Sequence, residues 1–368
     1  DKVRRDDPFF VPSHAGESPP QHFYSSKPPF LPTLIAGLLY PFRVLGGVPL
    51  DAFVFQERAP RYVPKPDPKN PGKPGYALET PEPVKWPVLL FYFEPVILLL
   101  NVLPLGLMLA RIPRCLDQHA SDEASWMTSM FSAGLGTQLL VFCSILNNHT
   151  IAAFAVFLAI DALLSIWRSD EPRATKFATA GFWASFAACN EMPALALGGV
   201  MFLLLLWRRP GLTLKAFLPA ALVPGVFFLA TLYLATGHFI PIYAEWGTQS
   251  YEYEGSYWNT PLEFDWFDKH PEPTWLYLFH MLLGHHGLFS LNPILLFGVL
   301  GAWRACRGQD GGLKVLAGLA LSMTALLSAA YAWKTHNYGG STQGMRWLFW
   351  VIPLWLLLVP VGLNGLWD

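Results

Sequence analysis

Long apolar runs separated by shorter polar stretches dominate this chain. A helix crosses a bilayer core with about 20 consecutive apolar residues. Runs of that length fall at 87–110, 124–146, 149–167, 214–236, 288–306, 313–333 and 347–367. Residues 175–207 form a longer run, interrupted at Cys189-Asn190-Glu191-Met192-Pro193. That interruption predicts two short helices meeting in a tight turn, with a deep re-entrant hairpin as the alternative. Segment 30–50 is apolar but broken by Pro32, Pro41, Arg43 and Pro49, so it is expected either to span or to lie along the interface. The fold class expected from this pattern is all-α: a polytopic membrane helix bundle of roughly 8–10 transmembrane helices with large extracytoplasmic loops.

The polar stretches divide the chain. Residues 1–86 are expected to form a first extracytoplasmic loop carrying the 30–50 helix, and within it 51–86 is dense in proline and reads as extended and irregular. Residues 87–237 form a transmembrane bundle, 238–287 an acidic extracytoplasmic loop, and 288–368 a second bundle. Orientation follows from Lys and Arg, which concentrate in cytoplasmic loops. The turns at 111–123, 168–176, 208–215 and 304–314 hold most of them, while the alternate connections at 147–149, 189–192, 238–287 and 334–346 hold few. The first set is therefore expected inside and the second outside. The six basic residues of 51–86 run against this rule, since the count places that loop outside.

Composition agrees with a membrane protein. Hydrophobic residues make up 53% and charged residues only 14%, against about 25% charged in soluble domains. A net charge of −1 gives no bulk attraction to nucleic acid. The four cysteines form no CxxC pair and suggest neither a disulfide framework nor a zinc site. The opening residues DKVRRDDPFF read like the middle of a loop, so we expect a chain lacking its natural N-terminus, with a first membrane helix upstream.

The topology gathers the unusual polar residues at the outer face. Asn147, Asn148 and His149 lie at one outer turn, and Asn190 and Glu191 at another. His285 and His286 close the large outer loop; Tyr338, Gly339, Gly340 and Arg346 lie in the last one. A charge at membrane depth costs on the order of 3 kcal/mol, so such groups persist when paired or when lining a watery cavity. Each also has a structural reading: Glu191 as a cap for the helix at Met192, the histidines and Arg346 as interfacial anchors, Asn147–His149 as an ordinary turn. Asp161, mid-helix on the inner half, is expected to pair internally. Glycine-rich phosphate loops, GxGxxG, HExxH and GxSxG are all absent from the sequence.

Residues 22–32, His-Phe-Tyr-Ser-Ser-Lys-Pro-Pro-Phe-Leu-Pro, resemble the end of the first outer loop in bacterial GT-C-type glycosyltransferases, the group that includes the protein mannosyltransferase-like and aminoarabinose transferase-like enzymes. Three further stretches resemble one branch of it: Leu146-Asn147-Asn148-His149, Gly284-His285-His286-Gly287-Leu288-Phe289-Ser290, and Tyr338-Gly339-Gly340 followed by Arg346 and Pro353. The resemblance implies an inverting transfer of a sugar from a polyprenyl-phosphate donor to an acceptor outside the cytoplasm, in a multi-pass protein of the bacterial inner membrane. It implies an outer-loop carboxylate as general base, with Asp6, Asp7 and Glu191 the candidates here, although the family's own base lies upstream of Lys-Pro-Pro in a stretch expected to be missing. Arg5, Asp6 and Asp7 read equally as a solvated charge run. Tyr24, Lys27, Asn148, His149, His285, His286, Tyr338 and Arg346 are then the candidate substrate-binding residues, the cations steadying the leaving phosphate. No cofactor is implied; Glu245, Glu252 and Asp265 are acids that a divalent ion would have to use, but their spacing matches no known loop. The rival from another class is a transporter or flippase for a lipid-linked or small polar substrate, and a third reading is a non-catalytic assembly subunit.

Overall fold

The computed structural model describes residues 2–12, 17–47, 49, 52–67, 70–245, 253–254, 272–335, 338–339 and 343–366. Two compact units emerge: residues 34–98, and residues 1–33 together with 99–368. The chain is mainly helical, with three short two-stranded ribbons among the described residues.

Among the described residues, four helical stretches are long and apolar enough to cross a membrane: Phe93–His119, Asn148–Arg168, Pro210–Thr236 and Gly311–Trp333. The first combines α2 (Phe93–Ile97) and α3 (Leu103–His119) through a π-helical turn. The others are α6 (Asn148–Arg168), α9 (Pro210–Leu212) running through a π segment into α10 (Leu218–Thr236), and α13 (Gly311–Lys334). α10 exposes Leu222, Val223, Val226, Leu229 and Leu234. A continuous apolar face of that kind is stable against lipid and costly against water.

Among the described residues, four long helices are fewer than the 8–10 spans expected, and each shortened run has an identifiable break. Run 124–146 divides into α4 (Glu123–Leu135) and α5 (Gln138–Cys143). At the break the Gln138 backbone N–H donates to the Asn292 side-chain oxygen at 2.7 Å, a tertiary bond in place of a helical one. Run 288–306 is helical as α12 (Leu295–Arg307) only from just beyond Pro293. Run 347–367 opens as a 3-10 turn (Arg346–Val351) and continues as two short buried helices, α14 (Ile352–Leu356) and α15 (Val359–Leu363), each started by a proline. The remaining helices are α1 (Phe30–Gly46), with Pro41 inside it and Arg43 in its last turn, and α11 (Thr274–Leu282).

The interrupted run 175–207 forms the expected helix pair, α7 (Ala174–Asn190) and α8 (Leu195–Arg208). A Cβ built on Gly198 would meet the Ala184 methyl at 3.7 Å, so the two helices double back about Glu191.

The ribbons correct the expectation of a purely all-α chain and of an irregular 51–86 loop. Strand β1 (Lys2–Asp6) pairs with β2 (Gln21–Ser25), β3 (Phe53–Gln56) with β6 (Val84–Pro87), and β4 (Arg61–Asp67) with β5 (Asn70–Glu79), all antiparallel. Proline fixes φ within the β range, and each strand of a two-stranded ribbon has an outer edge that needs no N–H donor. A proline-dense segment can therefore pair in this way.

Within the larger unit, α6 is the central helix. Ala152, Ala153, Ala155, Ala159 and Ala162 are buried along it, and small residues let neighbouring backbones come close. The Asn147 side chain caps its start, accepting from Thr150 N at 2.8 Å. Close approach is tightest between α12 and α15. A Cβ on Gly301 would lie 2.0 Å from the Leu358 carbonyl oxygen, and one on Gly362 would lie 1.8 Å from that of Phe297. Only hydrogen fits at either position.

Helix ends sort into two groups. At one end Arg168 meets Gln118 and His119, Asn364 donates to His119 O, Arg304 donates to the carbonyls of Val361, Gly362 and Asn364, and Arg208 donates to Trp167 O. At the other, Asn101 donates to Ile145 O, Asn148 to Asn190 O, and Met345 N to His286 O. The basic turns lie at the first end. The polar residues singled out above lie at the second.

Candidate functional site

The site is built where α6 begins and α7 ends. Asn147 ends the preceding turn and caps α6, which fixes Asn148 and His149 in its first turn. Glu191 follows α7 with an extended backbone and makes no side-chain cap for the 3-10 turn at Met192–Ala194. The capping reading of Glu191 is thus not realised. Its carboxylate turns to α6 instead. Asn148 Nδ2 donates to Asn190 O at 2.7 Å and also to Glu191 Oε1. His149 Nδ1 lies 2.6 Å from the same oxygen, a close polar contact without the alignment of a hydrogen bond. Both side chains are nearly enclosed, with 6% and 7% exposure. A buried carboxylate is tolerated only with such partners. Both contacts use Oε1, and Oε2 makes none among the described residues.

Lys27 approaches from the segment between β2 and α1, its backbone N–H held by Ser25 Oγ at 3.1 Å. Water reaches its side chain, yet surrounding protein pushes its pKa down; Glu191 pulls it back up and Arg346 lowers it again. Two further charges, one of each sign, act on it. Tyr243, in the 3-10 turn Ile242–Glu245, lies beside it with its ring 5.8 Å from the Lys27 ammonium. Burial, then Glu191, raises the Tyr243 pKa, so its phenol is a neutral donor.

Arg346 donates through Nε to the Gly339 carbonyl at 3.0 Å and through Nη2 to the same oxygen. Gly339 has φ +90°, and a Cβ there would lie 3.2 Å from the Trp347 ring. Glycine is required at this position on both counts. Gly340 lies outside the described residues.

His285, His286 and Tyr338 assemble beside this strap. His286 is buried and stacks on Tyr338 at 4.5 Å, and Tyr338 also stacks on Tyr277 at 4.9 Å. Tyr338 Oη donates to Glu272 Oε2 at 2.6 Å. His285 Nδ1 is 2.9 Å from His280 Nδ1, and His280 Nε2 is 3.9 Å from Glu272 Oε1. Burial, followed by the Glu272 carboxylate, raises the Tyr338 pKa.

Asp6 and Asp7 belong to the β1–β2 hairpin. Asp6 accepts from Gln21 Nε2 at 3.2 Å; Asp7 accepts from Phe9 N at 2.9 Å and lies 3.8 Å from His22 Nε2. Tyr24 pairs with Val3 across the same ribbon, where burial and then Asp7 raise its pKa. The hairpin tip packs Phe9 against Tyr233 near the end of α10. No described contact joins Asp6, Asp7 or Tyr24 to Glu191, Lys27 or Arg346.

Sequence reading missed Tyr243, Glu272, Tyr277 and His280. Aromatic residues are ordinary at a membrane interface, and Glu272 is one of seven acids in its loop, so neither residue type carried a signal. Among the described residues no three His, Cys, Asp or Glu side chains stand together as a metal set. Glu252 and Asp265 lie outside the described residues, as does the side chain of Glu245. Asp161 pairs with Arg111 at 3.2 Å, deep in the opposite half of α6. No family model, no characterised protein and no solved structure matches the chain.

Proposed function

We propose that this chain is a GT-C-type membrane glycosyltransferase, moving a sugar from a polyprenyl-phosphate donor to an acceptor hydroxyl at the extracytoplasmic face of the bacterial inner membrane. The observation that carries the reading is the buried Glu191 carboxylate, bonded through Oε1 to Asn148 and 2.6 Å from His149, with the charges of Glu191 and Arg346 both acting on the Lys27 side chain. Its place at the helix ends opposite the basic turns agrees with the positive-inside rule. A lipid-linked donor enters sideways from the bilayer, so its phosphate arrives at this level.

In the proposed reaction the acceptor oxygen attacks the anomeric carbon, the bond from that carbon to the phosphate oxygen breaks, and the configuration inverts. Glu191 takes the hydroxyl proton, with Asn148 and His149 holding Oε1 and leaving Oε2 for the acceptor. Lys27 and Arg346 balance the charge that gathers on the departing phosphate. A transporter would need polar groups along a path through the helices, and Asp161 is already committed to Arg111.

The test is transfer from a panel of polyprenyl-phosphate hexoses and pentoses by the full-length protein in detergent. Loss of transfer in Lys27→Met and Arg346→Ala supports the assignment. Transfer unchanged in both variants overturns it.

A further inference from the structure

A cavity of about 90 Å3 opens at the basic end of the helices, between α3, α6 and α7. Its wall carries four cations, Arg111, Arg114, Arg168 and Lys176, and one carboxylate, Asp161. Asp161 is taken by Arg111, and Arg168 is taken by Gln118 and His119. Among the described residues, the Arg114 guanidinium and the Lys176 ammonium make no hydrogen bond or ion pair. Uncompensated cations around one small cavity repel each other, and an anion bridging them removes that cost.

Two observations indicate which anion. Trp207 and Trp303 are exposed at this end, with Arg307 4.0 Å over the Trp303 ring and Arg208 4.6 Å over that of Trp167. Exposed tryptophans beside arginines mark the level of lipid headgroups. On α3, moreover, Leu103, Leu107, Arg111 and Arg114 recur at helical spacing along one stripe, and both leucines are exposed. A ligand held by its phosphate at Arg114 thus has an apolar track running from it toward the middle of the bilayer.

We propose that this cavity holds the phosphate of an anionic phospholipid from the leaflet at the basic end of the bundle, with Arg114 and Lys176 as its ligands and the acyl chains lying along Leu107 and Leu103. Basic pockets between membrane helices recognise acidic headgroups by this chemistry. The proposal does not depend on the sugar-transfer reading.

The experiment is native mass spectrometry of the full chain released from bilayers of phosphatidylglycerol or of phosphatidylcholine. Wild type is expected to retain phosphatidylglycerol selectively. Each cation near an anionic surface contributes about five-fold in affinity, so the Arg114→Gln, Lys176→Gln double variant is expected to lose on the order of 25-fold. Arg307→Gln, a cation at the same end but outside the cavity, is the control and is expected to retain the lipid. Equal retention of both lipids overturns the proposal, as does an equal loss in Arg307→Gln, which would mean diffuse attraction. Displacement by millimolar inorganic phosphate also overturns it, assigning the cavity to free phosphate. Size-exclusion profiles and melting curves matching wild type show that the variants are folded.

Discussion

Replacing Glu191 separates what its carboxyl does for the fold from what it does for chemistry. In Glu191→Ala the His149 ring nitrogen loses its 2.6 Å neighbour in a nearly enclosed setting. Asn148 loses one acceptor but keeps the Asn190 carbonyl at 2.7 Å. His149 loses its close polar neighbour, a contact that is not a hydrogen bond, and Asn148 keeps one of its two acceptors. A lost buried polar contact costs about 1–3 kcal/mol, so the expected loss is about 1–2 kcal/mol. Glu191→Gln keeps a carbonyl oxygen for Asn148 and presents an amide to the imidazole, so its loss is expected below about 1 kcal/mol. Transfer behaves in the opposite way, because an amide cannot take a proton: both variants should slow by on the order of 10²–10⁴-fold. Thermal unfolding in detergent and initial transfer rates measure the two effects on the same samples. Native-rate transfer by Glu191→Gln would refute the role of base and leave Glu191 a structural residue. A Glu191→Ala variant as stable as Glu191→Gln would refute the buried contact itself.

Lys27→Met should be at least as stable as wild type at neutral pH while losing donor binding. The native Lys27 pKa is depressed mainly by burial, so the unfolded chain binds more proton and the penalty on folding fades as pH rises toward 10.5. Melting curves should therefore show the variant's advantage shrinking over that window, and an advantage constant with pH would contradict it. Gly301→Ala puts a methyl 2.0 Å from a backbone oxygen that has no side chain to yield, so about 1–3 kcal/mol or more should be lost in thermal unfolding. Tyr338→Phe removes the donor to Glu272 at 2.6 Å and should cost about 1–3 kcal/mol by leaving that carboxylate short of a partner, with the ring stack intact in near-UV spectra.

What was legible in the sequence is what depends on one segment at a time. The apolar run 149–167 gives α6 almost residue for residue, because length and hydropathy are local. The turn at Glu191 was legible for the same reason, since Asn-Glu-Met-Pro cannot continue an apolar helix. Charge asymmetry marked the two groups of helix ends. The number of long helices was not legible. Hydropathy counts apolar residues whether they face lipid or protein, and it missed that Asn292, 154 residues from Gln138, supplies the acceptor that breaks run 124–146. Pairing was also hidden. Asn148 and Glu191 are 43 residues apart and Tyr338 and Glu272 are 66 apart, and their types alone fit turns, caps or interface anchors equally well. Composition and periodicity set where the chain could cross a bilayer. Only the packing of helix ends against one another decided which polar side chains meet, because that choice rests on distances between segments that no local pattern encodes.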